Sequence, residues 1–255
     1  MEGGGIETRG GRGRARRGAA ARGASRANAP RARAARLSPE ERRAQLLGVA
    51  LRVFARRGLG EARHAEIAQE AGVSVPTVFV YFPTRAELVS AVLDEVADFL
   101  IAMAERIHDT RAPVPRVILA HAEAFAHSID THPAHARVWL DWSTAIREEV
   151  WPRYLAFQEK IVAIVEATLE RGLRDGTVSV DVDPEDDARL IVGAAHMVAQ
   201  MKLLQAAPER VARFVRTLVR ATVGSVGDED GREGGMAGRG ARRRPDRRPT
   251  RRRQR

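Results

Sequence analysis

Few side chains in this sequence are spaced for catalysis. His132-Pro133-Ala134-His135 sets two imidazoles three residues apart, but proline interrupts the pair and no carboxylate nearby in the sequence completes a metal cluster. A structural or exposed pair is the reading these residues favour. His64 heads a short helix and reads as a packing or phosphate-facing residue. Asp181, Asp183, Glu185, Asp186 and Asp187 crowd the approach to a helix, whose N-terminus favours negative charge. No base, nucleophile or Gly-rich phosphate loop accompanies them, and no P-loop, nucleophile elbow or dinucleotide fingerprint appears. The expectation is a protein that is not an enzyme, with no cofactor and no metal.

The chemistry the residues do support is recognition of an anion. The net charge is +10, and it is unevenly placed. Residues 1–36 hold ten Arg against Glu2 and Glu7, a net +8, and residues 227–255 hold eleven Arg against five acids, a net +6. The middle, 37–226, is left at −4. Basic ends on a slightly acidic body point to nucleic acid as the first partner to consider, although solvated extensions would look the same. Both ends are rich in Gly, Ala and Arg and poor in residues to bury, so disorder is expected there. Residues 1–30 are unlike the body and are a candidate over-extended start, which an intact mass would decide.

The informative stretch lies at about residues 63–82. Ile67 and Ala68 give a short helix an inward face, Ala71 permits close approach of a second helix, and Gly72 can take φ > 0 at the turn. Ser74 suits the cap of the next helix, and Pro76 falls in its first turn, where a missing N–H costs little. Val78, Phe79 and Phe82 are expected to anchor that helix. Its exposed N-terminal face is then Val75, Pro76, Thr77 and Val80, the part that a helix laid in a major groove offers to base edges.

The elements that must position this stretch are helical by period. Ser38-Pro39-Glu40-Glu41 and Thr84-Arg85-Ala86-Glu87 read as capping boxes that open helices on either side of it. Further helices are expected near 114–129, 134–145, 148–172, 185–205 and 208–224. Val178 and Val180 alternate, but the run is too short for a sheet. The fold class is all-α. With 44% hydrophobic residues the chain can fill a sizeable core. No run of about 20 apolar residues suggests a membrane span, and the N-terminus does not read as a secretory signal. There is no cysteine, which excludes disulfides and thiolate metal sites and fits the cytoplasm.

Arg36-Leu37-Ser38-Pro39, Ala50-Leu51-Arg52-Val53-Phe54-Ala55-Arg56-Arg57-Gly58, His64-Ala65-Glu66-Ile67-Ala68 and Thr77-Val78-Phe79-Val80-Tyr81-Phe82-Pro83-Thr84-Arg85 resemble the TetR family. Within it they resemble the quorum-sensing master regulators of the LuxR/HapR/SmcR type. Val138-Trp139-Leu140-Asp141-Trp142-Ser143 and Arg147-Glu148-Glu149-Val150-Trp151-Pro152 extend the resemblance, which covers roughly 36–225. It implies a helix-turn-helix DNA-binding domain at 37–83 and a helical ligand-binding and dimerisation domain at 84–226, set between the disordered Arg-rich arm at 1–36 and the disordered basic tail at 227–255 that composition suggests. It also implies that Ser74, Thr77, Tyr81, Thr84 and Arg85 hold phosphates while Val75, Pro76 and Val80 face base edges. Arg31, Arg33 and Arg36 would match the subgroup's minor-groove arm, a role that suits Arg in a narrow A·T groove. The subgroup usually has Asn where this chain has Val80. Asn can hydrogen-bond a base edge, whereas Val offers apolar contact only, so a different operator is expected.

Trp139, Trp142, Trp151 and Tyr154 hold most of the Trp and Tyr of the chain. The resemblance suggests that some of them, with Leu100, Met103, Phe125 and Leu155, line an apolar cavity for a small apolar ligand; an ordinary packed core is the other reading. The last two helices, about 185–224, carry small and apolar residues suited to a homodimer interface. The leading expectation is a homodimeric, sequence-specific transcription regulator on a palindrome-like duplex DNA operator, cytoplasmic and nucleoid-associated, with no membrane partner. Binding over a promoter would repress; binding beside one would activate. Two other classes stay open: a non-specific architectural nucleic-acid binder driven by the Arg tails, and a helical ligand-binding or enzymatic protein whose head has lost DNA binding. A steep salt dependence without sequence preference would mark the tail-driven binder.

Overall fold

The computed structural model describes residues 37–146 and 149–223. Arg31, Arg33, Arg36, Arg147, Glu148 and the tail 227–255 lie outside the described residues. The helices run in the order α1 (Pro39–Arg57), α2 (His64–Ala71), α3 (Val75–Tyr81), α4 (Arg85–His108), α5 (Val114–Thr131), α6 (Pro133–Ser143), α7 (Trp151–Asp175), α8 (Pro184–Leu203) and α9 (Pro208–Thr222). No strand occurs among the described residues. Val178 and Val180 do face opposite ways, the first buried and the second 90% exposed, but they lie in the turns between α7 and α8.

Local chemistry explains most boundaries. Proline stands in the first turn of α3 and of each helix from α5 to α9, where φ is already helical and no N–H is wasted. Asp183 caps α8 by accepting from the backbone N–H of Glu185 and of Asp186, both at 3.1 Å. Thr84 caps α4 by accepting from the Glu87 N–H at 3.1 Å. The return half of that capping box is rearranged: the Glu87 carboxylate accepts from the Thr84 hydroxyl, not from the backbone. Gly72 ends α2 with φ 66°, and the bonds Gly72 N–H to Gln69 C=O and Val73 N–H to Ala68 C=O close the helix.

Two apolar clusters fill the interior. The larger runs from Leu46, Val53 and Phe54 of α1 through Ile67, Val78 and Phe82 to Leu93, Val96, Trp139 and Trp142. The smaller joins Val114, Ile118, Val165, Leu169, Ile191 and Val219 at the other end of the long helices. There α5 and α7 approach closely: a Cβ at Gly172 would stand 2.7 Å from Val114 Cγ2. The helices α1, α4 and α6 pack together, so the short α2–α3 pair is mounted on a buttress.

Candidate nucleic-acid interface

The short α3 is held from one side and bare on the other. Val78 and Phe82 are buried; Val75 is 37% and Val80 75% exposed, with Pro76 exposed between them. Ser74 turns inward on its own helix. Its Oγ accepts from the Thr77 N–H at 3.4 Å and lies 2.8 Å from the Thr77 hydroxyl. Phe79 departs from the sequence expectation: it is 45% exposed and not a core anchor. A single residue step past Val78 turns it off the buried line through Val78 and Phe82, and there it stacks flat on His64, with ring centroids 4.2 Å apart. The His64 Nε2–H donates to the Phe82 carbonyl at 2.9 Å, so this buried imidazole ties the start of α2 to the end of α3. Packing is therefore the role the geometry gives His64.

Tyr81 is half-buried, while Thr84 and Arg85 are exposed. The Arg85 guanidinium donates to the carbonyls of Leu59 and Gly60, the latter at 2.8 Å, and so braces the loop between α1 and α2. The same loop is gripped from α6, where Asp141 Oδ2 accepts from the Leu59 N–H at 2.6 Å. On the flank, Arg52 and Arg56 pair with Glu70, and Arg57 with Glu66. The two guanidiniums hold the Glu70 carboxyl below its ordinary value. These pairs join α1 to α2.

A second feature lies among α4 to α9, a cavity of about 70 Å³. Leu100, Met103, Phe125, Trp139 and Tyr154 line it. Trp142, Trp151 and Leu155 do not. Trp142 is wholly buried beside it, stacked on Phe157, with its Nε1–H donating to the Val150 carbonyl at 2.9 Å. Trp151 stacks behind Tyr154 at 5.1 Å. Leu155 is 45% exposed, because the inward line of α7 runs through Tyr154, Phe157 and Ile161 and the residue after Tyr154 points away. Sequence reasoning missed the polar lining, His121, Gln158 and His196. His121 stands one helical turn before Phe125, a spacing that offered a signal; His196 and Gln158 join the cavity only through tertiary packing. Burial raises the Tyr154 hydroxyl to about 12, and it donates to His196 Nε2 at 3.4 Å.

The His132 and His135 pair proves to have a carboxylate near it after all: Glu95, from α4, places Oε1 3.8 Å from His135 Nε2. Burial nonetheless lowers the His135 pKa, with Glu95 opposing, and both rings lie against Phe99. No group of three or more metal-ligating side chains forms among the described residues. None of the described helices is long and apolar enough to cross a membrane.

Residues 46–92 match the family of bacterial regulatory proteins named for tetR. The chain is 36% identical over 167 residues to the HTH-type transcriptional regulator LuxR of Vibrio harveyi, covering 64% of this chain and 80% of that one. It is 31% identical over 152 residues to the HTH-type transcriptional regulator EthR of Mycolicibacterium smegmatis, covering 56% and 68%. The fold is also that of the transcriptional regulator FadR of Bacillus subtilis, solved in complex with stearoyl-CoA, with TM-score 0.60, 18% identity, and 72% and 99% of the two chains covered.

Proposed function

The chain belongs to the TetR family of bacterial transcription regulators, and from that premise we propose that it binds a palindrome-like operator as a homodimer and releases it in response to a small apolar ligand. The observation that carries the DNA reading is the bare ridge of α3. Val75, Pro76 and Val80 are exposed while Val78 and Phe82 fix the helix from behind. Laid in a major groove, the ridge meets base edges through apolar contact, for which the thymine methyl is the matching group. Ser74, Thr77, Tyr81, Thr84 and Arg85 surround it as phosphate contacts, and Arg31, Arg33 and Arg36 supply a minor-groove arm. The head spans 37–83 and the ligand and dimerisation domain 84–226; the protein works in the cytoplasm, at the nucleoid.

A second copy of the chain is the occupant proposed for α8 and α9. Leu190 is 56% and Met197 47% exposed, about two turns apart on α8, and Leu204 beyond its end is 82% exposed. Two recognition helices must meet half-sites about one helical turn, or a multiple of it, apart, and a dimer achieves this. The ligand would act through α6, which carries both Trp139 on the cavity and Asp141 on the loop of the head. A ligand that favours one position of α6 would shift the head between two spacings.

Selection of binding sites from random duplexes tests the DNA reading. The expected result is one palindromic consensus, retained against competitor DNA and changed at one symmetric pair of positions by Val80→Asn. Binding without a consensus, with a steep salt slope, would establish the tail-driven alternative instead.

A further inference from the structure

The cavity wall is apolar except at a few points, and one of these is the end of a hydrogen-bonded relay. Thr168 of α7 donates its hydroxyl to the Ile164 carbonyl, one turn back, at 3.1 Å. With that proton committed, Thr168 Oγ1 receives the His108 Nδ1–H at 2.7 Å. Burial lowers the His108 pKa to about 3, reinforced by His121 and Arg171, and lowers that of His121 to about 4. Both rings are therefore neutral at ordinary pH, and each carries one N–H. His108 has placed its proton on Nδ1, so its Nε2 accepts the Nδ1–H of His121 at 3.0 Å. By the same count His121 Nε2 holds a lone pair. The two nitrogens of an imidazole diverge, so Nε2 points away from His108. His121 lines the cavity, and no described residue meets its Nε2 with a hydrogen bond.

We propose that His121 Nε2 is the polar anchor of the cavity, selecting an apolar ligand that carries a neutral N–H or O–H donor. The proposal deepens the ligand response described above and rests on it. A desolvated acceptor gains by meeting a donor and loses by meeting another lone pair. Carboxylates, ethers and esters present lone pairs, so the relay discriminates against them. His196 does not compete for the role, because its Nε2 already receives the Tyr154 hydroxyl. At about 70 Å³ the cavity is smaller than an aromatic ligand, and Met103, the flexible unbranched side chain in its wall, is the one best able to yield.

Indole, benzofuran and indene are close in shape and differ in chemistry: a donor, an acceptor and neither. Titrated calorimetrically into the full chain, indole is expected to bind about tenfold tighter than either of the others. His121→Leu should abolish that preference while indene still binds. Nitrogen-15 spectra of the histidine rings in the unmodified protein should show His121 Nε2 without a proton, whether or not the variant folds. Equal binding of all three would overturn the proposal and leave the ligand response standing. Preference for benzofuran, or a proton on Nε2, would overturn it by showing a donor at that position. Binding by none would overturn the proposal and the ligand response together.

Discussion

The two faces this molecule offers, the α3 ridge and the α4–α9 cavity, are built in opposite ways. The ridge is a run of neighbours in sequence, exposed, on a helix of seven residues that polar bonds and a single buried stripe hold in place. The cavity gathers residues from distant helices, and its half-buried His121 is joined through His108 to Thr168 across α5, α4 and α7. Substitutions on the ridge should therefore change what is bound and leave stability alone. Substitutions at the cavity should change stability first. Asp141, reaching to the Leu59 N–H, ties the loop beside the ridge to α6, the helix that carries Trp139 of the cavity wall.

The largest effect expected is at Trp142, which has no exposed surface. Trp142→Ala removes its stack on Phe157 and its bond to Val150, and should cost about 3–5 kcal/mol in chemical denaturation. A loss of under about 1 kcal/mol would show that the aromatic cluster does not hold the body together.

Acidity should separate the regions next. Above the ordinary histidine value of 6.5, His108 and His121 are neutral in both the folded and unfolded chain. Below it the unfolded chain takes up protons that the buried rings refuse until about 3 and about 4. Stability should accordingly fall as pH drops from 6.5 towards 4, by up to about 1.4 kcal/mol per pH unit for each ring. Unfolding curves across that window should flatten in His121→Gln; an unchanged slope would place the acid sensitivity elsewhere.

A smaller effect of about 1–2 kcal/mol is expected for Asp141→Ala, which leaves the Leu59 N–H without its acceptor. Its sharper signature is functional. Operator affinity should become insensitive to a cavity ligand, measured by fluorescence anisotropy with and without that ligand. Full retention of the response would break the link drawn through α6. The smallest change in stability belongs to Val80→Asn, within about 0.5 kcal/mol because the side chain is 75% exposed, even though the selected operator should change. A large loss of stability there would mean the ridge is structural.

Much of this was legible before any fold was drawn. Proline in first turns, Asp183, Thr84 and Gly72 act within a few residues of themselves, so they marked helix ends directly. The same local geometry set Val75, Pro76 and Val80 on one face of α3. Phe79 was misplaced because an apolar side chain reads as core, whereas His64, fifteen residues earlier, offers its ring a stacking partner at the surface. The resemblance suggested Trp142, Trp151 and Leu155 among the candidates for the cavity wall, and the rotation of α6 and α7 turned each of them elsewhere.

Amino-acid order alone determined the helices, their ends, the charge of the tails and the family to which the chain belongs, since each depends on neighbours along the chain. Packing alone decided that Asp141 grips a loop 82 residues away, and that His108, 60 residues before Thr168, hands its order of protons on to His121. Those contacts form between elements whose relative rotation is set by the shared core. No period or spacing in the sequence encodes that rotation, so the ridge could be read from the residues, whereas of the cavity's polar wall only His121 left a signal and His196 and Gln158 left none.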